Sequence, residues 1–304
     1  MQLAPPLNPG DTIAVVAPGS ATQKPERLAR GLAALKAAGF KVDWHPDSLT
    51  RRGYLAGNNS ERANQFNRAI TRQAVKAIMC VRGGYGAMRI LDRIDYGAAR
   101  KHPKLLIGFS DATALHLALY RHAGWRGLSG PLVVSYAESS PGIQARFWAL
   151  AKGEIPQLAG GLAAVRTGTA QGVLLGGNLS MIARLVGTPY LPSLEGSILF
   201  LEEVNEAPYR IDALLAQLHL AGHLKTLGGL VLGRFTGWEP RHEHPVLTPG
   251  QIFTDYFSMA PYPVARGLPY GHFPDRETIP FGVRAKLAVT KDSGSLAVLE
   301  PVCG

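Results

Sequence analysis

Three residue types that can together activate a nucleophile stand far apart in this chain: Ser110, an acid at Glu202 or Glu203, and His272. A serine hydroxyl is a weak nucleophile near neutral pH and needs a base to accept its proton. An imidazole can accept it, and a carboxylate can fix the imidazole tautomer and stabilise its charged form. The order Ser…Glu…His therefore indicates a serine hydrolase. The Gly-x-Ser-x-Gly signature is absent, however, because Ala112 stands two residues after the serine.

The surroundings of Ser110 suit a nucleophile. The apolar run Leu105-Leu106-Ile107-Gly108-Phe109 predicts a strand, and a helical pattern begins directly after the serine. Such a turn would present the hydroxyl and aim the backbone N–H of Asp111 at the group under attack. The alternative is that Ser110 merely caps the following helix.

The acid and the base have competing explanations too. Glu202 and Glu203 end a strongly apolar strand, where charges are rare unless paired or functional. Strand alternation predicts that one of them faces the site and the other faces solvent or a helix. Alternatively, both mark a strand edge at the water boundary. His272, between Gly271 and Pro274, is either a loop general base or an ordinary surface histidine.

A glycine-rich loop, Gly83-Gly84-Tyr85-Gly86, follows another predicted strand. Its backbone N–H groups could approach a ligand closely, to hold a phosphate or to complete an oxyanion hole. It matches neither the dinucleotide fingerprint nor the phosphate-loop pattern. Cys80, just before it, is a rival nucleophile or a buried strand cysteine.

The sequence His242-Glu243-His244 could suggest a metal site, but further ligands at defined spacing are missing. A charged surface loop explains it better. We predict no metal and no cofactor.

Composition bounds the class of protein. The chain has 304 residues, of which 46% are hydrophobic and 18% charged, enough for a large core. No apolar run reaches the roughly 18 residues of a membrane span, the N-terminus lacks a secretory pattern, and two cysteines are too few for a disulfide framework. These features favour the cytoplasm. The net charge of +10 is scattered, which predicts a solvated basic surface, with no nucleic-acid or membrane partner and a weak preference for acidic small molecules.

Strands alternate with helices along the first half of the chain. This predicts an α/β fold with a parallel sheet, whose ligands lie beyond the carboxyl ends of its strands. Pro18-Gly19-Ser20, the glycine-rich loop and Ser110 all fall at such ends. We predict an N-terminal domain over 1–140, a crossover over 141–169 and a mixed α/β C-terminal domain over 170–304. Asn59 or Ser60 is expected to cap the helix before the third strand.

Taken together, these motifs resemble the LD-carboxypeptidases, serine peptidases of bacterial cell-wall recycling. The segments that carry the resemblance appear in the family's order: Ala17-Pro18-Gly19-Ser20, Arg82-Gly83-Gly84-Tyr85-Gly86, Gly108-Phe109-Ser110-Asp111, Gly176-Gly177-Asn178-Leu179, Leu201-Glu202-Glu203, Pro208-Tyr209-Arg210 and Gly271-His272. The resemblance implies a cytoplasmic homodimer. It also implies an N-terminal flavodoxin-like or glutamine-amidotransferase-like domain that carries the serine, and a C-terminal domain that carries the acid and the base.

The resemblance also implies individual roles. Ser110 matches the nucleophile, Glu202 the acid and His272 the base, while the oxyanion hole falls at the backbone N–H groups of Gly84 and Asp111. The implied reaction releases the terminal D-alanine of murein tetrapeptides after L-lysine or meso-diaminopimelate. The candidates for substrate binding, for which surface ions are the alternative, are Arg82, Tyr85 and Glu206.

Two other functions stay open at this point. Relatives of the family cleave microcin-type peptidyl-nucleotides in self-immunity, and one sequence does not resolve the substrate pocket. A non-catalytic nucleotide- or peptide-binding module would use Ser110 as a helix cap and the glycine-rich loop as an anion cradle.

Overall fold

Two compact units make up the chain. The computed structural model describes residues 3–46, 50–239 and 246–304. The first unit comprises Met1–Glu154, Thr278–Gly282 and Pro301–Gly304, and the second comprises Ile155–Glu277 and Val283–Glu300. The boundaries predicted from the sequence at 140 and 170 stay predictions.

The first unit alternates strands and helices, as its sequence pattern predicts. Its elements are β1 (Thr12–Val16), α1 (Pro25–Ala37), β2 (Lys41–Trp44), α2 (Asn59–Thr71), β3 (Val75–Cys80), a 3-10 helix (Ala87–Arg93), α3 (Tyr96–Lys101), β4 (Leu105–Gly108), a 3-10 helix (Ser110–Ala112), α4 (Thr113–Ala123), β5 (Gly127–Ser129), α5 (Val133–Tyr136), α6 (Pro141–Ala151) and, from later in the chain, β11 (Ile279–Phe281).

These strands form one sheet in the order β2-β1-β3-β4-β5-β11. Neighbours from β2 to β5 are parallel, so the predicted parallel sheet is confirmed for them. β11 pairs antiparallel with β5 and adds an edge strand that its turn-rich sequence did not predict. β3 and β4 are almost wholly buried, which explains their continuous apolar runs, since a parallel sheet is covered on both faces.

The N-cap of helix α2 lies one residue before the first of the two predicted caps. Asn58 is the N-cap: its side chain accepts a hydrogen bond from the backbone N–H of Glu61, and the Glu61 carboxylate accepts one from the N–H of Asn58, both at 3.0 Å. This reciprocal capping box satisfies two helix-end donors at once. The prediction of Asn59 or Ser60 was wrong because neither places a glutamate three residues ahead.

The second unit is built around a closed sheet. Its elements are β6 (Gln157–Arg166), β7 (Gly168–Asn178), α7 (Leu179–Arg184), β8 (Ile198–Val204), α8 (Pro208–Leu220), a 3-10 helix (His223–Lys225), β9 (Gly229–Thr236), α9 (Pro249–Phe257), β10 (Val264–Arg266), β12 (Arg284–Val289) and β13 (Gly294–Val298). The strand order is β10-β6-β13-β12-β7-β8-β9, and the sheet closes on itself through parallel pairing of β10 with β9. Both parallel and antiparallel pairs occur, so this unit is mixed, as predicted.

The stretch interpreted as a crossover, residues 141–169, carries regular structure, and the division between the two units falls within it, after Glu154. It contains α6 and the ten-residue strand β6, which runs through Gly160 and Gly161. β6 pairs with β10 on one side and β13 on the other, both distant in sequence. These long-range hydrogen bonds stabilise a strand that its own glycines disfavour. The crossover itself stays a prediction. Among helices of the described residues, none is long and apolar enough to cross a membrane.

His116 lies buried on α4 in the first unit. Its Nε2 lies 3.3 Å from the carbonyl oxygen of Gly108, at the end of β4, and its ring packs on Phe281 with centroids 5.2 Å apart. Burial lowers the pKa of His116 from 6.5 to about 4, because the charged imidazolium would lose its hydration. The folded chain therefore holds this histidine neutral near pH 7.

We expect this burial to make the fold acid-sensitive. Unfolding frees His116 to bind a proton below pH 6.5, so its contribution to stability is complete above that pH and declines towards pH 4. Between pH 7.5 and pH 5, the free energy of unfolding should fall by about 2 kcal/mol because of this histidine. Urea unfolding of wild type and His116→Gln at both pH values measures it. An equal pH dependence in the two proteins would show that His116 is not responsible.

Candidate active site

Ser110 occupies a strained backbone position directly after β4. Its φ is +63°, in the left-handed region that costs a residue with a Cβ about 1–3 kcal/mol. Strain of this kind marks the strand-to-helix turn that exposes a nucleophilic serine. Ser110 is the first residue of the 3-10 helix that precedes α4, and the N-cap positions are Phe109 and Ala112, without a side-chain cap. Ser110 therefore occupies neither N-cap position, and its role as nucleophile stays a prediction.

The glycine-rich loop after β3 packs against this serine. A Cβ at Gly83 would lie 2.9 Å from Cβ and 3.2 Å from Oγ of Ser110, so only a glycine lets the loop approach this closely. The next residue, Gly84, has a φ of +107° and approaches Ser20. The hydroxyl of Ser20 accepts a hydrogen bond from the N–H of Tyr85 at 3.0 Å. Three loops that follow parallel strands thus meet around Ser110.

Asp111, the residue after the serine, has a buried side chain. Its Oδ2 accepts a hydrogen bond at 2.9 Å from the N–H of Ala87, where the glycine-rich loop turns into its 3-10 helix. Gly19 packs so closely on this carboxylate that a Cβ there would collide with it. The Asp111 side chain therefore joins the loops to one another, which leaves the backbone N–H as its candidate chemical group.

A buried arginine that the sequence did not single out holds the same loops. Arg62 on α2 is fully buried, and its guanidinium donates hydrogen bonds to the carbonyls of Gly86 at 2.8 Å, Gly57 at 3.1 Å and Pro18. Burial lowers its pKa, yet the carbonyl oxygens satisfy its donors. In the sequence it stands on a polar helix and looks like a surface residue, so no local signal identifies it.

Two substrate-binding candidates of this unit lie on the same loop. Arg82 is half-buried and donates a hydrogen bond from Nη1 to the carbonyl of Ala21 at 3.0 Å. Tyr85 is 64% exposed and meets the ring of Tyr54 edge-on, with centroids 6.4 Å apart. The exposed pair of rings is available to a ligand. One donor of the Arg82 side chain is already used by the carbonyl of Ala21, in the loop after β1.

In the second unit the structure brings Glu202 and His272 together. Oε2 of Glu202 lies 2.7 Å from Nδ1 of His272, and Glu202 is fully buried while the imidazole remains 26% exposed. Asn178 donates from Nδ2 to the other oxygen, Oε1, at 3.1 Å. A carboxylate on Nδ1 fixes the tautomer that leaves Nε2 as the proton acceptor. This pair can therefore act as an oriented general base.

Glu203 is buried as well and faces helix α7, one of the two surroundings that strand alternation predicts for the second acid. Pairing of β8 with β9 shifts register between Leu201 and Glu203. Its carboxylate accepts hydrogen bonds from Asn178 Nδ2 at 2.8 Å, Ser180 N at 2.8 Å and Val204 N at 2.9 Å. Burial raises the pKa of Glu203, against the opposing effect of these bonds. The water-boundary interpretation of the two acids is wrong, because both are buried.

Two domain families match the chain in order. Residues 13–130 match the LD-carboxypeptidase N-terminal domain, and residues 171–287 match the LD-carboxypeptidase C-terminal domain. The chain belongs to the LD-carboxypeptidase family. The resemblance seen in the sequence motifs is confirmed.

Relatives are similar to this chain over almost their whole length. It is 33% identical to the Bacillus subtilis protein named "Probable murein peptide carboxypeptidase", over 92% of this chain and 90% of that protein. It is 33% identical to murein tetrapeptide carboxypeptidase of Pseudomonas aeruginosa, over 90% of this chain and 92% of that protein. The crystal structure of muramoyltetrapeptide carboxypeptidase from Oxalobacter formigenes superposes on this chain with a TM-score of 0.86. The two are 32% identical, and the match covers 94% of this chain and 98% of that one. The Escherichia coli microcin C7 self-immunity protein MccF is 27% identical, over 98% of this chain and 96% of that protein.

Cys80 and the His242-Glu243-His244 motif are the other candidates for chemistry in this chain. Cys80 is fully buried in β3, and burial raises the pKa of its thiol, so the residue is the inert strand cysteine of the alternative interpretation. Within the described ranges, no cluster of His, Cys, Asp and Glu side chains could hold a metal ion. His242-Glu243-His244 lies outside the described residues.

The remaining candidate for substrate binding, Glu206, lies just before α8. Helix α8 begins at Pro208, as its sequence predicts. The Glu206 carboxylate is 3.4 Å from Nη1 of Arg210, one helical turn along, and lines a small cavity between α7 and α8. This acid is therefore a cavity residue and not an isolated surface ion.

Proposed function

We propose that this chain is a serine-type LD-carboxypeptidase that releases the terminal D-alanine of murein tetrapeptides in cell-wall recycling. The observation that carries the proposal is the pairing of the buried Glu202 carboxylate with Nδ1 of His272 at 2.7 Å. Membership of the family and the names of two relatives support the substrate.

In the proposed mechanism Ser110 is the nucleophile. Its hydroxyl attacks the carbonyl between the L-centre of the third residue and the terminal D-alanine, and Nε2 of His272 accepts the proton. His272 then protonates the leaving amine, and Glu202 stabilises the imidazolium in between. Water hydrolyses the resulting acyl-enzyme by the same route.

The oxyanion is assigned to the backbone N–H groups of Gly84 and Asp111. Each such donor contributes roughly 3 kcal/mol to transition-state stabilisation in comparable sites. The close packing of the glycine-rich loop on Ser110 and the φ of +63° at the serine support this assignment. For the substrate itself we propose Arg82, Tyr85 and Glu206 as binding residues.

Three further features belong to the proposal. The strand order 2-1-3-4-5 of the first sheet supports a flavodoxin-like N-terminal domain. A homodimer and a cytoplasmic location follow from the family resemblance.

The direct test is hydrolysis of L-Ala-γ-D-Glu-meso-diaminopimelyl-D-Ala, followed by an assay for free D-alanine. We expect release of D-alanine from this peptide and none from the same peptide ending in L-alanine, because the leaving group is recognised by its stereochemistry. The similarity to MccF makes microcin-type peptidyl-nucleotides the second candidate substrate. Cleavage of a peptidyl-nucleotide without release of D-alanine would replace the proposed function by self-immunity.

A further inference from the structure

Two adjacent glycines, Gly83 and Gly84, form the part of the loop to which the proposed oxyanion hole is assigned. Glycine has more backbone freedom than any other residue, so Gly84 itself does not fix the direction of its N–H. A donor stabilises an oxyanion strongly only when it is aimed in advance at the place where the charge develops. Contacts from the rest of the unit therefore have to hold this loop in one conformation.

Packing on Ser110 accounts for one side of Gly84 only. A Cβ at Gly83 would lie 2.9 Å from Cβ of Ser110, so the residue before Gly84 rests against the candidate nucleophile. Gly84 has a φ of +107°, a conformation that residues with a side chain rarely adopt. Rotation about the backbone bonds of Gly84 would turn its N–H away, unless the residue that follows is held as well.

The hydroxyl of Ser20, in the loop after β1, holds that following residue. Its Oγ accepts a hydrogen bond from the N–H of Tyr85 at 3.0 Å and donates one to the carbonyl oxygen of Tyr85 at 3.3 Å. A single side chain thus engages both backbone groups of Tyr85. Ser20 is only 6% exposed, so water has little access to compete for these bonds.

The contact between Ser20 and Gly84 is as close as the one between Gly83 and Ser110. A Cβ at Gly84 would collide with Oγ of Ser20 and lie 2.7 Å from its Cβ. The two glycines are therefore enclosed between two serines, Ser110 on one side and Ser20 on the other.

Two other side chains hold the far end of the same loop. The Arg62 guanidinium donates to the carbonyl of Gly86 at 2.8 Å, and Oδ2 of Asp111 accepts from the N–H of Ala87 at 2.9 Å. Both contacts fall two or three residues beyond Gly84, whereas the bonds of Ser20 fall on the residue directly after it.

We propose that Ser20 is a positioning residue of the reaction, whose hydroxyl holds the Gly84–Tyr85 peptide so that the N–H of Gly84 is aimed at the oxyanion. The inference rests on the proposed function and adds a residue that acts through the loop rather than on the substrate. Without the hydroxyl, the N–H of Tyr85 loses its acceptor and the two glycines before it are free to rotate. The transition state then loses stabilisation, and the bound ground state does not.

Ser20→Ala tests the proposal on the tetrapeptide named above. We expect kcat for D-alanine release to fall by about 10- to 100-fold while KM changes by less than about 3-fold, because the oxyanion exists only in the transition state. A peptide boronate, with boron in place of the scissile carbonyl carbon, mimics the tetrahedral intermediate. Its Ki should rise by the same factor by which kcat falls.

Thr22→Ala is the matched control in the same loop. The Thr22 hydroxyl also engages both backbone groups of one residue, accepting from the N–H of Lys24 and donating to its carbonyl oxygen, each at 3.3 Å. Those bonds lie outside the glycine-rich loop, so kcat, KM and Ki should stay at the wild-type values. Circular dichroism verifies that each variant is folded at the assay temperature.

Ser20→Cys is the second variant, and it replaces Ser20→Ala in the test if the alanine variant does not fold. A thiol occupies the same place and is a weaker donor and acceptor than a hydroxyl. We expect a kcat between those of the wild type and Ser20→Ala, again with KM nearly constant and Ki changed in parallel.

The outcomes separate this inference from the proposed function. Wild-type kcat and Ki in the folded Ser20 variant would overturn the inference, and so would a rise in KM at constant kcat, which would place Ser20 in substrate binding. A fall in kcat with unchanged Ki, or an equal fall in Thr22→Ala, would also overturn it, because the effect would then lie outside the oxyanion hole. In all these cases the wild type still releases D-alanine, whereas failure of the wild type to do so would overturn the proposed function and this inference with it.

Discussion

Ser110→Ala is expected to lower kcat for D-alanine release by at least about 10³-fold, and by as much as about 10⁶-fold. The substitution removes the atom that would form the acyl-enzyme, and water held by the remaining groups is a far poorer nucleophile. Alanine tolerates φ of +63° as badly as serine does, so the fold should be unchanged. The measurement is single-turnover D-alanine release, with circular dichroism to verify folding.

Two further variants separate lost chemistry from altered structure. Ser110→Gly should be equally inactive without loss of stability, since glycine has no Cβ penalty in the left-handed region. Ser60→Ala removes an exposed hydroxyl from α2, elsewhere in the same unit, and should retain wild-type activity. Substantial hydrolysis by both Ser110 variants would exclude the serine mechanism.

Retained ligand binding without hydrolysis in the wild type would instead favour the non-catalytic binding module. The structure already weakens that alternative, because Ser110 occupies the N-cap position of neither helix. A nucleophilic role for Cys80 is disfavoured by its burial and its raised pKa. The test at Ser110 therefore decides between a peptidase and a binding protein.

Much of the framework around the candidate site could be predicted from the sequence. The apolar runs of β1, β3 and β4 are long and strongly patterned, because a covered parallel sheet requires them. Since the carboxyl ends of parallel strands share one edge, the convergence of the loops at Ser20, Gly83 and Ser110 followed from that pattern.

The parts that could not be predicted depend on contacts between distant residues. The burial of Glu203 depends on its hydrogen bonds to Asn178 and Ser180, partners that the sequence of β8 does not reveal. Arg62 looks like any helix-surface arginine until its three carbonyl acceptors assemble around it. β6 contains two adjacent glycines and forms because β10 and β13 flank it. In each case tertiary pairing overrides a local preference.

Glu202→Gln is expected to lower kcat by about 10³- to 10⁴-fold with little change in KM. In the wild type, the Glu202 carboxylate accepts a hydrogen bond from Nδ1 of His272, at 2.7 Å. The glutamine amide can instead donate a hydrogen bond from its NH₂ group to Nδ1. That would stabilise the tautomer whose proton sits on Nε2, where it cannot accept the serine proton. The amide would also fail to stabilise the imidazolium. Steady-state kinetics on the meso-diaminopimelyl tetrapeptide measures the loss.

Glu203→Gln is the matched control, because the same substitution falls on the neighbouring buried acid. Glu203 accepts hydrogen bonds from Asn178, Ser180 and Val204. The NH₂ group of a glutamine would face one of these donors without forming a hydrogen bond, which should destabilise the fold by about 1–3 kcal/mol. The effect of Glu203→Gln on kcat should be far smaller than that of Glu202→Gln, because Glu202 is the acid that pairs with the imidazole of His272. Equal losses of kcat in the two variants would mean that the acids act as one structural cluster, and Glu202 would lose its assigned role as the acid of the triad.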